Sequence, residues 1–291
     1  MKIALFGCCM TAMGLCQYQT STEAVLDRLG IEFLDLKEFN CCGYPLRNLN
    51  FRAFVLAATR NLALAEKRAL DVLTMCNCCY GSLKHAAHLL SEDAFLRNEI
   101  NAILEKEGLR YDGRVAVKHF LQFLYDDIGL EGIRTKLKKT FRGLKIATHY
   151  GCHILRPSQV VQFDNAFSPV KFDQLVSLTG AESVPWLSKL ECCGSPLMGV
   201  NDELSMDLIE NKLVNARKAG ADFVCVSCPY CLMQFDRMQD LMHSCRNSEA
   251  LLPSILYLQI LGLCLGVDSQ SLGLEMNKLP ITGILQFLSE R

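Results

Sequence analysis

The sequence lacks a charge excess of either sign and a long uninterrupted apolar run. Its 30 lysines and arginines are balanced by 31 aspartates and glutamates, which leaves a net charge of −1. Nucleic acid and anionic membranes are therefore not expected partners, because the chain offers no extended cationic surface. The apolar stretch at residues 251–267 contains Pro253, Tyr257 and Gln259 and is shorter than the roughly 20 residues that cross a bilayer. We expect a buried helix there and no membrane span.

Several recognisable motifs are also missing. There is no G-x-G-x-x-G or Walker loop, so flavin or ATP chemistry is expected to lie on another protein. The ferredoxin run Cys-x2-Cys-x2-Cys-x3-Cys is imitated by Cys225, Cys228 and Cys231, but its last position is Phe235, and no separate relay cluster is encoded. The first residues reach Cys8 too soon to form the apolar centre of an export signal. We expect a cytoplasmic protein.

Cysteine, in contrast, is abundant. The chain has 16 cysteines among 291 residues, of which 50% are hydrophobic. A chain of this size can bury a core without disulfides, and a reducing cytoplasm disfavours them. Ligation of metal by thiolates explains the cysteines better.

The cysteines form the same pattern twice. Cys41-Cys42-Gly43-Tyr44-Pro45 corresponds to Cys192-Cys193-Gly194-Ser195-Pro196, and each stretch is preceded by a lone cysteine and followed by a Cys-x2-Cys pair. The lone cysteine is Cys8 or Cys9 in one copy and Cys152 in the other, and the pairs are Cys76/Cys79 and Cys228/Cys231. The double cysteines are 151 residues apart (192 − 41) and the pairs 152 (228 − 76), which indicates a duplication.

Hydrophobic patterning predicts the fold of each copy. Short apolar runs at residues 2–7, 31–36, 71–75 and 115–117 suit buried strands, and residues 22–29, 51–68 and 92–107 suit helices. This alternation predicts an α/β protein made of two homologous parallel-sheet modules. We place the first module at residues 1–128, a basic linker at 129–143, and the second module at 144–291, ending in a helix at 281–288.

The predicted topology brings the cysteines together. Each cysteine group follows a predicted strand, and sites in parallel sheets form at the carboxyl ends of the strands. Each module would then present five thiols, one more than zinc or an ordinary cubane cluster uses. Adjacent side chains of an extended segment point to opposite sides, so a double cysteine reaches different atoms of a larger inorganic core more readily than one ion. The spacing favours a polynuclear cluster.

This pattern, with the flanks Gly151-Cys152-His153, Arg156-Pro157 and Cys228-Pro229-Tyr230-Cys231, resembles the duplicated cysteine-rich CCG domain of the heterodisulfide reductase B-subunit family. The resemblance covers nearly the whole chain. It implies two non-cubane [4Fe-4S] clusters, each held by five cysteines, which together cleave or form a disulfide-type bond. The implied ligands are Cys8, Cys41, Cys42, Cys76 and Cys79 for one cluster, and Cys152, Cys192, Cys193, Cys228 and Cys231 for the other.

The resemblance also implies partners and alternatives. The expected partners are a ferredoxin-type iron-sulfur protein like the family's C component, a flavoprotein like its A component, and a disulfide or thiol substrate. The main alternative is a non-catalytic electron-transfer subunit of another oxidoreductase, such as a glycolate or lactate oxidase-like, quinone-linked or aryl-CoA reductase complex. A zinc-stabilised scaffold is a third class.

The first copy departs from the pattern. Aligning Gly7 with Gly151 favours Cys8 over Cys9 as its lone ligand, and Cys78 adds a thiol where the family tends to have a small residue. His153 could donate a proton to a departing thiolate, or could be structural. His149 is expected to be a hydrogen-bonded core residue. The unmatched cysteines are expected to be small buried hydrophobes; they are Cys16, Cys225, Cys245 and Cys264.

Overall fold

The computed structural model describes residues 3–246 and 251–291. The strands are β1 (Ile3–Phe6), β2 (Phe33–Asp35), β3 (Asp71–Thr74), β4 (Val117–His119), β5 (Lys139–Phe141), β6 (Lys145–His149), β7 (Glu182–Ser183), β8 (Phe223–Val226), β9 (Ser254–Leu256) and β10 (Leu288–Glu290). No helix in these residues is long and apolar enough to pass through a membrane.

The α-helices vary from one turn to 17 residues. They are α1 (Cys9–Ala12), α2 (Cys16–Leu29), α3 (Phe51–Lys67), α4 (Asn77–Glu92), α5 (Ala94–Leu104), α6 (Phe120–Gln122), α7 (Leu130–Arg134), α8 (Ser158–Val161), α9 (Lys171–Leu178), α10 (Asp202–Lys218), α11 (Pro229–Met233), α12 (Gln239–Arg246) and α13 (Tyr257–Cys264).

The chain divides into two compact units. The first comprises the chain up to Cys9, Glu32–Phe123 and His153–Ala166, and the second comprises Met10–Ile31, Leu124–Cys152 and the chain from Phe167 onward. The units therefore do not coincide with the two repeats of the sequence. Residues 10–31 belong to the first repeat but lie in the second unit, and residues 153–166 belong to the second repeat but lie in the first unit. The module boundaries at 128 and 144 stay a prediction about the repeat.

Each unit contains a four-stranded parallel sheet, which confirms the α/β fold class. The order is β2-β1-β3-β4 in the first and β7-β6-β8-β9 in the second. The central strands β1 and β8 are buried at every position, as expected for apolar strands covered on both faces. In the first unit, α3 and α4 pack on the sheet, and in the second unit α9 packs on β6 and β7.

The two long helices that follow the double cysteines start in the same way. Asn50 and Asn201 accept a hydrogen bond through their side chains from the backbone N–H groups of Ala53 and Leu204. Each asparagine thereby caps a 17-residue helix, α3 or α10. Such caps satisfy a helix N–H group that otherwise has no partner within the helix.

Several sequence predictions about single elements need correction. The predicted linker contains α7 and β5, and β5 pairs antiparallel with β10. The short helix predicted at residues 281–288 is present as a 3-10 helix at Thr282–Phe287, but the chain ends in the strand β10 and not in this helix. The helix predicted at residues 22–29 begins six residues earlier, at Cys16, and the strand predicted at 115–117 lies at Val117–His119. Residues 251–267 contain the strand β9 as well as the buried helix α13.

Candidate metal centres

The first thiol cluster lies in the first unit at the carboxyl ends of three strands. Cys8 and Cys9 follow β1, Cys41 and Cys42 follow β2, and the Cys-x2-Cys pair follows β3. Cys76 is the N-cap residue of α4, so Cys79 lies in the first turn of that helix. The sulfur atoms of Cys8, Cys76 and Cys79 all lie within 4.8 Å of one another, and the three residues are buried.

The remaining thiols of the first unit connect to this group. Cys79 is hydrogen-bonded to Cys42, Cys9 to Cys41, and Cys8 to Cys9. Six thiols therefore form one connected group, one more than the sequence pattern predicts. We call it the first thiol cluster: Cys8, Cys9, Cys41, Cys42, Cys76 and Cys79.

The second thiol cluster lies in the second unit and has five members. Cys152 is hydrogen-bonded to Cys192, Cys231 donates to the sulfur of Cys193 at 3.6 Å, and Cys228 is hydrogen-bonded to Cys231. Cys152 follows β6, the double cysteine follows β7, and Cys228 and Cys231 follow β8. The predicted set of the second module is thus brought together.

A glycine turn places each double cysteine. Gly43 and Gly194 have φ angles of 81° and 86°, in the left-handed region. A Cβ atom at these positions would lie 2.9 Å from the carbonyl oxygen of Phe54 and 3.0 Å from that of Ser205. Only glycine therefore allows the chain to turn this close to the following helix.

The hydrogen bonds give the two thiols of each double cysteine opposite pKa shifts. The hydrogen bond from Cys42 lowers the pKa of Cys41, and the one from Cys152 lowers the pKa of Cys192. In the same networks the hydrogen bond with the neighbouring cysteine raises the pKa of Cys42 and of Cys193 to about 12. Thiols packed this closely cannot all ionise unless cations neutralise them. A donor set of five or six clustered sulfurs fits a polynuclear iron centre, since soft thiolate ligands favour such metals.

The strand register identifies the equivalent of Cys152 in the first unit. Phe6 pairs with Thr74, two residues before Cys76. His149 pairs with Val226, two residues before Cys228. Phe6 and His149 are therefore equivalent, and the residue three positions later is Cys9 in one unit and Cys152 in the other. Cys9 also contacts Cys41 as Cys152 contacts Cys192, whereas the sequence comparison favoured Cys8.

His153 belongs to the first unit, although it directly follows Cys152 in the chain. Its Nδ1 atom is 3.2 Å from the sulfur of Cys78, and its ring packs edge-on against Tyr44 at 5.0 Å between centroids. A Cβ atom at Gly81 of α4 would lie 3.0 Å from the carbonyl oxygen of His153. The absence of a side chain at Gly81 therefore allows this segment to approach α4.

Two residues beside the second thiol cluster carry no recognisable sequence signal. The first is His149, of which a ring nitrogen lies within 4.8 Å of the sulfurs of Cys193 and Cys231. His149 is buried at the end of β6, as expected of a core residue, but neither of its ring nitrogens has a hydrogen-bond partner among the described residues, so the expected hydrogen bond is not found. Burial holds its pKa well below the usual value, which keeps the ring neutral.

Lys212 is the other such residue. It is 1% exposed, donates to the carbonyl oxygens of Ser188 and Glu191, and lies 5.1 Å from the ring centroid of Trp186. Burial lowers its pKa to about 8, so it is mostly charged at neutral pH. Its position on an amphipathic helix, α10, gave no reason to expect a buried ammonium group.

The unmatched cysteines divide into two groups. Cys225 and Cys264 are buried, as predicted, whereas Cys16 and Cys245 are exposed. All sixteen cysteines lie in the described residues, and none forms a disulfide bond.

A scan against protein families matches the cysteine-rich CCG domain twice, at residues 3–84 and 146–236. The matches contain both thiol clusters. Iron-sulfur centres are the metal sites that CCG domains with clustered cysteines indicate.

Relatives narrow the family further. The chain is 36% identical over 281 residues to the B subunit of the ferredoxin:CoB-CoM heterodisulfide reductase of Methanosarcina mazei, covering 95% of this chain and 93% of the relative. It is 32% identical over 282 residues to the 8-methylmenaquinol:fumarate reductase membrane anchor subunit of Wolinella succinogenes, covering 97% and 98%. The chain belongs to the heterodisulfide reductase B-subunit family of CCG-domain proteins.

A solved structure supports the fold alone. The crystal structure of a hypothetical protein from Helicobacter pylori superposes with a TM-score of 0.79 at 19% sequence identity. The alignment covers 97% of this chain and 52% of the other, so this chain spans about half of that protein's length.

Proposed function

We propose that the protein is the disulfide-converting iron-sulfur component of a heterodisulfide reductase-like complex. The observation that carries this proposal is the pair of thiol clusters, each gathered from three strand ends in a chain of this family. The proposed reaction takes one disulfide, two electrons and two protons to two thiols, or runs in reverse. The proposed cofactors are two non-cubane [4Fe-4S] clusters, one for each thiol cluster.

The chain's own residues have three roles in this reaction. The cysteines bind iron as thiolates, and the glycine turns at Gly43 and Gly194 fix the double cysteines in place. Burial of Cys42, Cys79 and Cys193 keeps water from the inner side of each cluster and strengthens the interaction of thiolate with iron. When bound, the clusters would supply electrons and iron atoms that can bind substrate sulfur.

We propose Cys9, not Cys8, as the lone ligand of the first cluster, on the strand register and its contact with Cys41. The other nine proposed ligands are the cysteines that the resemblance implies besides Cys8. His153 is the proposed proton donor to a leaving thiolate, because its ring is held beside the first thiol cluster by Cys78 and Tyr44.

Electrons must come from other proteins of the complex. The sequence has neither a ferredoxin run nor a nucleotide-binding loop, so we propose a ferredoxin-type C component and a flavoprotein A component as partners. The relatives named as B subunits of heterodisulfide reductases support this assembly.

The test is spectroscopic and uses the anaerobically purified protein. Thiols and disulfides are added to the oxidised and reduced forms, and the electron paramagnetic resonance (EPR) signal is recorded for each thiol cluster. A substrate that binds at iron shifts or broadens the signal. If no thiol or disulfide changes either signal while electrons still pass through the complex, disulfide conversion is excluded.

That negative result would instead support a second function, electron transfer without substrate chemistry. The relative from Wolinella succinogenes favours this alternative, because its name describes part of a menaquinol:fumarate reductase at 32% identity over nearly the whole chain.

A further inference from the structure

A cavity in the first unit lies beside the second half of α4, whereas the cysteines of that helix lie in its first turn. Its volume is about 540 Å³, and its walls come from the second half of α4, from α5, from the segment leading into β4, and from α8. This volume falls within the range of about 300–1,000 Å³ that is usual for sites of small molecules. Neither thiol cluster contributes a residue to the lining.

The lining is rich in cations. Lys84, Arg97 and Lys118 border the cavity together with His88, and Asp112 is the sole carboxylate among its lining residues. Asp112 is already engaged, since its oxygens pair with Arg110 at 3.0 Å and Arg114 at 2.5 Å. The cavity therefore has an excess of positive charge, although the whole chain is nearly neutral.

Two of these cations, Lys84 and Arg97, have no ionic partner in the part of the chain that the structure describes. Lys84 is half-buried, and desolvation lowers its pKa. An ammonium group held partly out of water without a counter-ion is unfavourable. A bound anion would remove this cost.

Neutral hydrogen-bond donors complete the lining. Gln122, Gln159 and Gln162 line the cavity, and each side-chain amide offers two N–H groups that can donate to a bound anion. Lysine, arginine and amide N–H groups are the donors that bind phosphate and carboxylate oxygens.

We propose that this cavity binds a small polyanion with at least two negative charges, carried by phosphate or carboxylate groups. The site does not depend on the iron-sulfur chemistry proposed above. Lys84 and Arg97 would each form a charge-assisted contact with the ligand, and the glutamine amides would fix its orientation.

Calorimetric titration of the full-length, anaerobically purified protein tests this proposal. The probes are pyrophosphate, citrate and acetate, which separate phosphate, polycarboxylate and single-charge binding. Pyrophosphate or citrate is expected to bind with sub-millimolar affinity, at least tenfold more tightly than acetate. Binding of pyrophosphate alone assigns the phosphate class, and binding of citrate alone assigns the carboxylate class.

Charge-removing variants locate the binding. Lys84→Gln and Arg97→Gln should each weaken binding about tenfold, the loss of one charge-assisted contact. Lys106→Gln removes an exposed cation of the same unit outside the cavity and should leave binding unchanged. Thermal melting checks that each variant folds.

The proposal is overturned if neither polyanion binds more tightly than acetate, or if both cavity variants weaken binding no more than Lys106→Gln. It is also overturned if an acidic peptide binds at this site while both small polyanions fail to compete with it.

Discussion

The two thiol clusters share a backbone frame but differ in the residues around it. Both have a glycine turn after the double cysteine, an asparagine cap on the next helix, and a Cys-x2-Cys pair that begins a helix. The first thiol cluster contains one thiol more than the second, because both Cys8 and Cys9 belong to it, and a further thiol, Cys78, directly precedes Cys79 in the chain. The second has instead a buried histidine and a buried lysine, His149 and Lys212.

The lysine shows the difference most clearly. Lys212 and Asn61 are equivalent, since each lies 11 residues after the cap of its helix (212 − 201 and 61 − 50). Both hold the loop that leads to the double cysteine: Asn61 accepts from the N–H of Asn40 and donates to the carbonyl of Cys41, and Lys212 donates to the carbonyl of Glu191. One unit holds this loop with a neutral amide and the other with a charge. Duplication has kept the geometry while the electrostatics diverged.

Replacing one buried cysteine ligand should have the largest effect on iron content, and it should affect one cluster only. Cys193→Ser is expected to lower the iron content to about half, because a neutral hydroxyl replaces a buried thiolate. Cys42→Ser should do the same for the first cluster. Iron analysis and EPR of both variants check this, and full iron content with unchanged turnover in Cys193→Ser would contradict the ligand assignment.

The second-largest effect is expected from replacing the lone cysteine ligand of the first cluster. Cys9→Ser is expected to lose the signal of the first cluster, whereas Cys8→Ser is expected to keep it, since only Cys9 occupies the position of Cys152 in the sheet register. Iron content and EPR compare the two variants. Loss of the signal in Cys8→Ser with retention in Cys9→Ser would restore the assignment favoured by the sequence.

Removal of the buried charge should have the smallest of these effects. Lys212→Met is expected to lower the reduction potential of the second cluster by about 50 mV, the result of losing about 1 kcal/mol of favourable charge interaction with the added electron. A redox titration followed by EPR measures it, and the first cluster in the same sample should not change.

His149→Phe is the matched control for the lysine variant. It introduces the residue found at the equivalent position Phe6, and it removes no charge because His149 is neutral. A shift as large as that of Lys212→Met would show that packing, and not charge, sets the potential.

The sequence was sufficient for the features that depend on local pattern. Apolar runs ending in cysteine predicted strands that deliver thiols to one edge of a parallel sheet, and both thiol clusters form there. The spacing of Cys228 and Cys231 also predicted correctly that these two thiols would be brought together.

Features that depend on distant pairing were not predictable. The amphipathic pattern of α2 indicates which face of the helix is buried, but it does not indicate which part of the chain covers that face. The structure places α2 in the second unit, although its sequence lies in the first repeat. The strand β5 lies in a basic segment whose pairing with β10 is set by residues about 149 positions away. Cys8 and Cys9 are adjacent in the sequence. Only the register of the paired strands shows which of two adjacent residues is equivalent to Cys152.

Metal analysis combined with Mössbauer spectroscopy of the anaerobically purified protein tests the central claim most directly. Two polynuclear clusters predict about eight irons per chain, with a comparable amount of acid-labile sulfide and spectra that differ from an ordinary cubane cluster. Zinc as the main metal, with little iron and no sulfide, would contradict the account.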